Sequence, residues 1–138
     1  MNTFNCLICE KKFIGNMNNS DPFIGGRCCD VCNEKFIIPL RVHEATENKK
    51  TAILFKTDGT ISYIKPIDNY FTISELQLLV GGNIELYPQK IGGCLIVCNE
   101  EGLLINLPKN KLFKIYSAIA LVGNILLCPE MIFERPEM

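Results

Sequence analysis

The sequence predicts an α+β protein, with a small zinc-knuckle or treble-clef-like N-terminal module followed by a compact, mostly antiparallel β-sheet domain carrying one or two short helices. Three observations carry this expectation. Cys6-Leu-Ile-Cys9 and Cys29-Asp-Val-Cys32 are two C-x-x-C pairs separated by nineteen residues, the spacing of a four-thiolate zinc site. From Thr51 onward, short apolar runs alternate with turn-forming residues, the pattern of short strands. Thr72-Ile-Ser-Glu75 sets Thr and Glu at capping-box spacing before an apolar helical face.

The first module is expected over residues 1–43. Each C-x-x-C pair can form a tight knuckle that turns both sulfurs toward one ion, and two knuckles complete a tetrahedron with Zn–S of about 2.3 Å. The segment Gly15-Asn-Met-Asn-Asn-Ser-Asp-Pro22 is rich in turn formers. So few large apolar groups cannot hold a module of this size by burial alone, and a structural metal supplies the missing stabilisation. The module is expected to end near Ile37-Ile38-Pro39-Leu40. Glu44-Ala-Thr-Glu-Asn-Lys-Lys50 is polar and reads, over 44–50, as a linker.

The second domain is expected over 51–138. Ala52-Ile-Leu-Phe-Lys56 and Ile61-Ser-Tyr-Ile64 flank Thr57-Asp58-Gly59-Thr60, and Asp-Gly between apolar runs predicts a hairpin. After the capping box, Leu76, Leu79 and Val80 share a helical face, and Gly81-Gly82 ends the helix. Ile84-Glu-Leu-Tyr87 predicts a strand ended by Pro88. Cys94-Leu-Ile-Val-Cys98 and Leu103-Leu-Ile-Asn-Leu107 flank Asn99-Glu-Glu-Gly102 and predict another hairpin. Residues 109–119 read as either a short helix or a loop. Val122-Gly-Asn124 turns into a last strand, Ile125-Leu-Leu-Cys128. Strands in succession with a single clear helix among them predict a small sheet, mostly antiparallel.

Composition narrows the function classes. The chain has 138 residues, is 48% hydrophobic and 21% charged, and carries a net charge of −1, so most of it should fold. Residues 1–43 hold five basic against four acidic side chains, and residues 44–138 nine against eleven. Neither part has the basic excess that phosphate neutralisation demands. Residues 1–10 lack a basic start followed by a long apolar stretch, so no secretory leader is expected. No run long and apolar enough to span a membrane occurs either. Without a leader, a reducing cytoplasm is expected, where C-x-x-C pairs favour metal over disulfides.

The expected zinc ligands are Cys6, Cys9, Cys29 and Cys32. Ordinary buried thiols and a redox C-x-x-C pair are the rival readings, the second needing a βαβ context that is missing here. Cys28 adjoins Cys29, but would give the poorer C-x-x-x-C with Cys32, so it is read as a packing thiol or one beside the site. Four thiolates leave no open position for substrate, so the zinc is expected to be structural. Cys94, Cys98 and Cys128 lie in apolar runs and read as core. His43, the single histidine, has no nucleophile at a recognisable motif position to serve. Glu85, Glu100 and Glu101 read as solvated, and Gly81-Gly82 and Gly92-Gly93 as capping and turn residues, since no phosphate-binding motif contains them. No catalytic residue is assigned, and an enzyme is not expected.

Two resemblances follow from these residues. The run Cys6-x-x-Cys9-x-Lys11-x-Phe13, then Asn18-Asn19 with Pro22, Gly26-Arg27-Cys28-Cys29-Asp30-x-Cys32-Asn33 and Ile38-Pro39-x-Arg41 resembles a short zinc-binding module common in bacteriophage and prophage proteins. Glu75-Leu-Gln77, Val80-Gly-Gly-x-Ile84-Glu85, Asn99-Glu-Glu-Gly102, Leu107-Pro-x-Asn110 and Gly123-Asn-Ile-Leu-Leu resemble a small domain family of unknown function, also met in phages and mobile elements. Asn124 stands where that family usually has an acidic residue. Neither resemblance implies an established activity. Together they imply a phage or prophage accessory protein acting in the cytoplasm of a bacterial host cell. The expected function is non-enzymatic binding and modulation of a host protein or protein complex, such as a defence system, with Lys11, Lys12, Arg27 and Arg41 as contact candidates. The alternatives are nucleic-acid binding through the zinc module, with Phe13 beside those basic residues, and small-nucleotide binding by the second domain.

Overall fold

The computed structural model describes residues 3–46 and 50–133. It divides into two compact units: one of the N-terminal residues together with 114–119, the other of 50–113 and 120–133. The fold is mixed α+β, as expected.

The first unit opens with an antiparallel hairpin of β1 (Thr3–Asn5) and β2 (Lys12–Ile14). The Phe4 and Phe13 rings stack across it, with centroids 5.8 Å apart. A second short ladder pairs β3 (Asn18–Asn19) with β4 (Arg27–Cys28). A helical run follows directly: α1 (Asp30–Cys32), a π turn (Asn33–Ile37) and α2 (Ile38–Ala45). The wide turn lies just before Pro39. Proline has no N–H for the next ladder bond and its ring crowds the preceding turn, so the helix loosens there. Phe23, Phe36, Ile37 and Leu40 are buried with four cysteines. Phe23 meets Tyr116 edge-on at 6.1 Å, and the Ile24 N–H donates to the Ile115 carbonyl at 2.7 Å. Of the expected linker, Glu44 and Ala45 belong to α2, and residues 47–49 lie outside the described residues.

The second unit is built on a five-stranded antiparallel sheet: β5 (Ala52–Phe55), β6 (Ile61–Ile64), β7 (Ile84–Ile91), β8 (Cys94–Asn99) and β9 (Ile125–Pro129). Their order across the sheet is β6-β5-β9-β8-β7. The β5–β6 turn is the expected Asp-Gly hairpin, with Gly59 at φ 90°, a conformation glycine adopts without steric cost. Helix α3 (Ile73–Val80) starts on the expected capping box. The Glu75 N–H donates to Thr72 Oγ1 at 3.2 Å, and the Glu75 carboxylate accepts from the Thr72 N–H. Gly81 ends the helix in the left-handed region.

One sheet face, with Ala52, Leu54, Val97, Leu126 and Cys128, packs on Leu76 and Val80 of α3 and on Phe71 and Ile132. Phe55, whose side chain points to the opposite face, meets Phe113 of α4 (Lys111–Ser117) at 5.3 Å, edge-on. Cys128 is fully buried and Cys98 nearly so, in the core role expected of them; Cys94 is half-exposed.

Two expected elements differ. The β7 strand does not stop at Pro88 but runs on to Ile91, with a register irregularity between Leu86 and Lys90. Proline is tolerated there because β7 is an edge strand and the bulge needs no ladder donor. Leu103–Leu107 is not a strand pairing with β8. Both edges of β8 are already taken, by β7 across the Gly92-Gly93 turn and by β9, so residues 100–106 close as successive turns instead.

Candidate metal centre

Cys6 begins a tight turn in which the Cys6 N–H donates to the Lys11 carbonyl at 2.9 Å and the Glu10 N–H to the Cys6 carbonyl at 3.0 Å. Glu10 takes a positive φ of 65° to close it. The turn aims three backbone donors at Cys6 Sγ: the N–H groups of Ile8 (3.4 Å), Cys9 (3.5 Å) and Cys29 (3.4 Å). Such N–H···S bonds are the signature of a thiolate knuckle, because they favour the charged sulfur. The second pair sits where β4 gives way to the helical run. Cys29 is the N-cap residue of α1, and Cys32 lies in its first turn.

The four sulfurs of Cys6, Cys9, Cys29 and Cys32 all lie within 4.8 Å of one another, with Cys9 Sγ and Cys29 Sγ 4.0 Å apart. Tetrahedral thiolates about 2.3 Å from one ion stand about 3.8 Å apart, so the set fits a metal with small adjustments. Three of the four are buried, and Cys9 is the most accessible.

Burial opposes charge on Cys6, yet the N–H donors of Cys9, Cys29 and Ile8 outweigh it and hold the thiol down at about 7. Burial raises Cys32, and sharing a proton with Cys29 and Cys6 raises it further. Burial also raises Cys9. Crowded thiols of this kind ionise together only when a cation joins them. All four coordination positions are then protein sulfur, so the arrangement can hold a fold together but offers no site for substrate.

The structure brings together the four cysteines that spacing selected. Cys28 stands apart in β4, fully buried, with its carbonyl accepting from Asn18 Nδ2 at 3.2 Å. Its thiol is pushed up to about 11, first by burial and then by the neighbouring Cys6 and Cys29. His43 lies on α2, outside the sulfur group. Arg41, expected as a contact residue, is committed to the fold: its Nε donates to the Asp21 carbonyl at 2.8 Å and its Nη2 to the Asn19 carbonyl at 2.9 Å. Lys12 and Arg27 lie on β2 and β4 with exposed side chains, and Lys11 lies just before β2, likewise exposed.

Sequence reasoning missed one polar hub in the second unit. Asn110 is 1% exposed. Its Nδ2 donates to the carbonyls of Phe55 (2.7 Å) and Gly123 (2.9 Å), while its Oδ1 accepts from the Phe113 N–H at 2.9 Å. The signal was an asparagine at N-cap position before Lys-Leu-Phe, which the ambiguity over 109–119 obscured.

These features define a two-unit protein with a cysteine centre able to bind a metal and a small antiparallel α+β domain. Residues 50–131 match the family described as Domain of unknown function (DUF3846), and the chain belongs to that family. No curated protein and no solved structure matches the chain. Among the described residues, no helix is long and apolar enough to cross a membrane.

Proposed function

We propose that the protein is a non-enzymatic, zinc-containing accessory protein of phage or prophage origin that binds and modulates a host protein or protein complex in the bacterial cytoplasm. The observation that carries this reading is the closed set of four sulfurs within 4.8 Å. Zinc is the ion that four thiolates in tetrahedral array suit best, and there it shapes a surface instead of performing chemistry. A defence complex is the kind of host factor this origin suggests.

The nucleic-acid alternative draws on Lys11, Lys12, Arg27 and Arg41. It is weakened by the net charge of −1 and by the use of Arg41 within the fold. The test is affinity capture from bacterial lysate with the zinc-loaded full chain as bait. Recovery of a stoichiometric host protein is expected. Recovery of none, together with retardation of single- or double-stranded probes in a low-salt gel shift, would replace this reading with the nucleic-acid one.

A further inference from the structure

The turns over residues 100–106 expose three consecutive large apolar side chains: Leu103 at 80%, Leu104 at 84% and Ile105 at 53%. An exposed run of this kind is unfavourable in water and marks a contact surface when its backbone is held in place. Here it is held. The N–H of Glu100 donates to the Asn83 carbonyl (2.8 Å), that of Ile105 to Glu101 (3.0 Å) and that of Leu107 to Gly102 (2.9 Å). Asn99 Oδ1 accepts from the Glu101 N–H at 2.8 Å, and Asn99 Nδ2 donates to the Val80 carbonyl at 3.3 Å. Gly102 is so close to Val122 that a Cβ there would meet Val122 Cγ2 at 2.8 Å.

Leu103 and Leu104 line a cleft of about 320 Å³ together with Glu85, Cys98, Glu100 and Leu121. That volume is at the small end for a ligand pocket and suits one or two side chains of a partner. Both charged residues lining it, Glu85 and Glu100, are acidic. Lys109 pairs with Val122 through the backbone but does not line the cleft. A nucleotide would bring phosphates against two carboxylates, whereas a basic side chain would meet them favourably.

We infer that this cleft is the docking site for a partner segment carrying a large aliphatic side chain next to lysine or arginine. The aliphatic group enters between Leu104 and Leu121, and the cation meets Glu85 and Glu100. This deepens the reading of the protein as a binder of a host protein and rests on it.

The probe is a short fluorescent peptide of alternating leucine and arginine, titrated into the full zinc-loaded chain and followed by anisotropy. A leucine–glutamate peptide of equal length is the control. Binding of the first and not the second is expected. Leu104→Ser should weaken it about tenfold, the scale of one lost aliphatic contact. Glu85→Gln with Glu100→Gln should weaken it by about threefold to tenfold. All three positions accept these changes without loss of core packing, which circular dichroism checks.

Equal binding of both peptides, no binding of either, or an affinity untouched by Leu104→Ser would overturn the inference. So would a wild-type dimer that Leu104→Ser converts to monomer in sedimentation, since the patch would then serve self-association. The two readings fail separately. A host protein captured equally by wild type and Leu104→Ser removes this site and leaves the binding function standing, whereas no captured protein removes the function itself.

Discussion

Replacing Asn110 with alanine tests whether one buried amide organises the second unit. The side chain makes three hydrogen bonds in a place water does not reach: to the carbonyls of Phe55 and Gly123 and from the Phe113 N–H. Loss of the helix cap costs about 1 kcal/mol. Each of the two carbonyls left without its donor costs about 1 kcal/mol more. Asn110→Ala should therefore lose about 3 kcal/mol. At roughly 5 °C per kcal/mol for a domain of this size, the midpoint falls by about 15 °C. Urea unfolding followed by far-ultraviolet circular dichroism, with the slope unchanged, measures the loss. Asn110→Asp keeps the acceptor for Phe113 but turns a carboxylate toward two carbonyl oxygens, so it should not restore stability. A loss below about 1 kcal/mol in Asn110→Ala would refute the reasoning, because the two carbonyls would then have found other donors.

Metal analysis should find close to one zinc per chain, and Cys9→Ser or Cys32→Ser should release it and unfold the first unit; a folded, metal-free first unit seen by hydrogen exchange would contradict this. Thr72→Ala removes the capping box and should cost about 1 kcal/mol in thermal denaturation. Bonds from the Thr72 and Ile67 N–H groups hold the Glu75 carboxyl below its ordinary value. Its contribution is therefore complete above the unfolded carboxylate range and disappears as pH falls through the lower folded value. The acid limb of stability should accordingly be shallower in Glu75→Gln, and an unchanged limb would argue against the cap. Cys128 is pushed up to about 12 by burial and by Cys94, and burial raises Cys98 and Cys94 as well. A thiol reagent applied to the zinc-loaded chain should reach half-exposed Cys94 before the other two, as mass spectrometry would show.

Much of this was legible in the residues because the causes are local. Spacing selects Cys6, Cys9, Cys29 and Cys32, since a C-x-x-C knuckle is formed within its own few residues. The same holds for the capping box at Thr72 and Glu75, the Asp58-Gly59 hairpin and the αL stop at Gly81. What failed depended on partners distant in sequence. Pro88 reads as a strand stop until β7 is known to be an edge. Leu103–Leu107 has the composition of a strand, but β8 has no free edge to offer it.

Local sequence was enough to pick out the four cysteines that gather into a cluster able to bind a metal, the mixed α+β character with its mostly antiparallel sheet, and the turns that punctuate it. Tertiary structure alone decided that β9, the last strand, enters the middle of the sheet between β5 and β8. It also tied the exposed Arg41 to the carbonyls of Asp21 and Asn19 and gathered Glu85, Glu100 and Leu104 around one cleft. The reason is physical: turns, caps and knuckles are set by bonds within a few residues, whereas sheet order and surface clefts depend on which distant apolar faces bury each other.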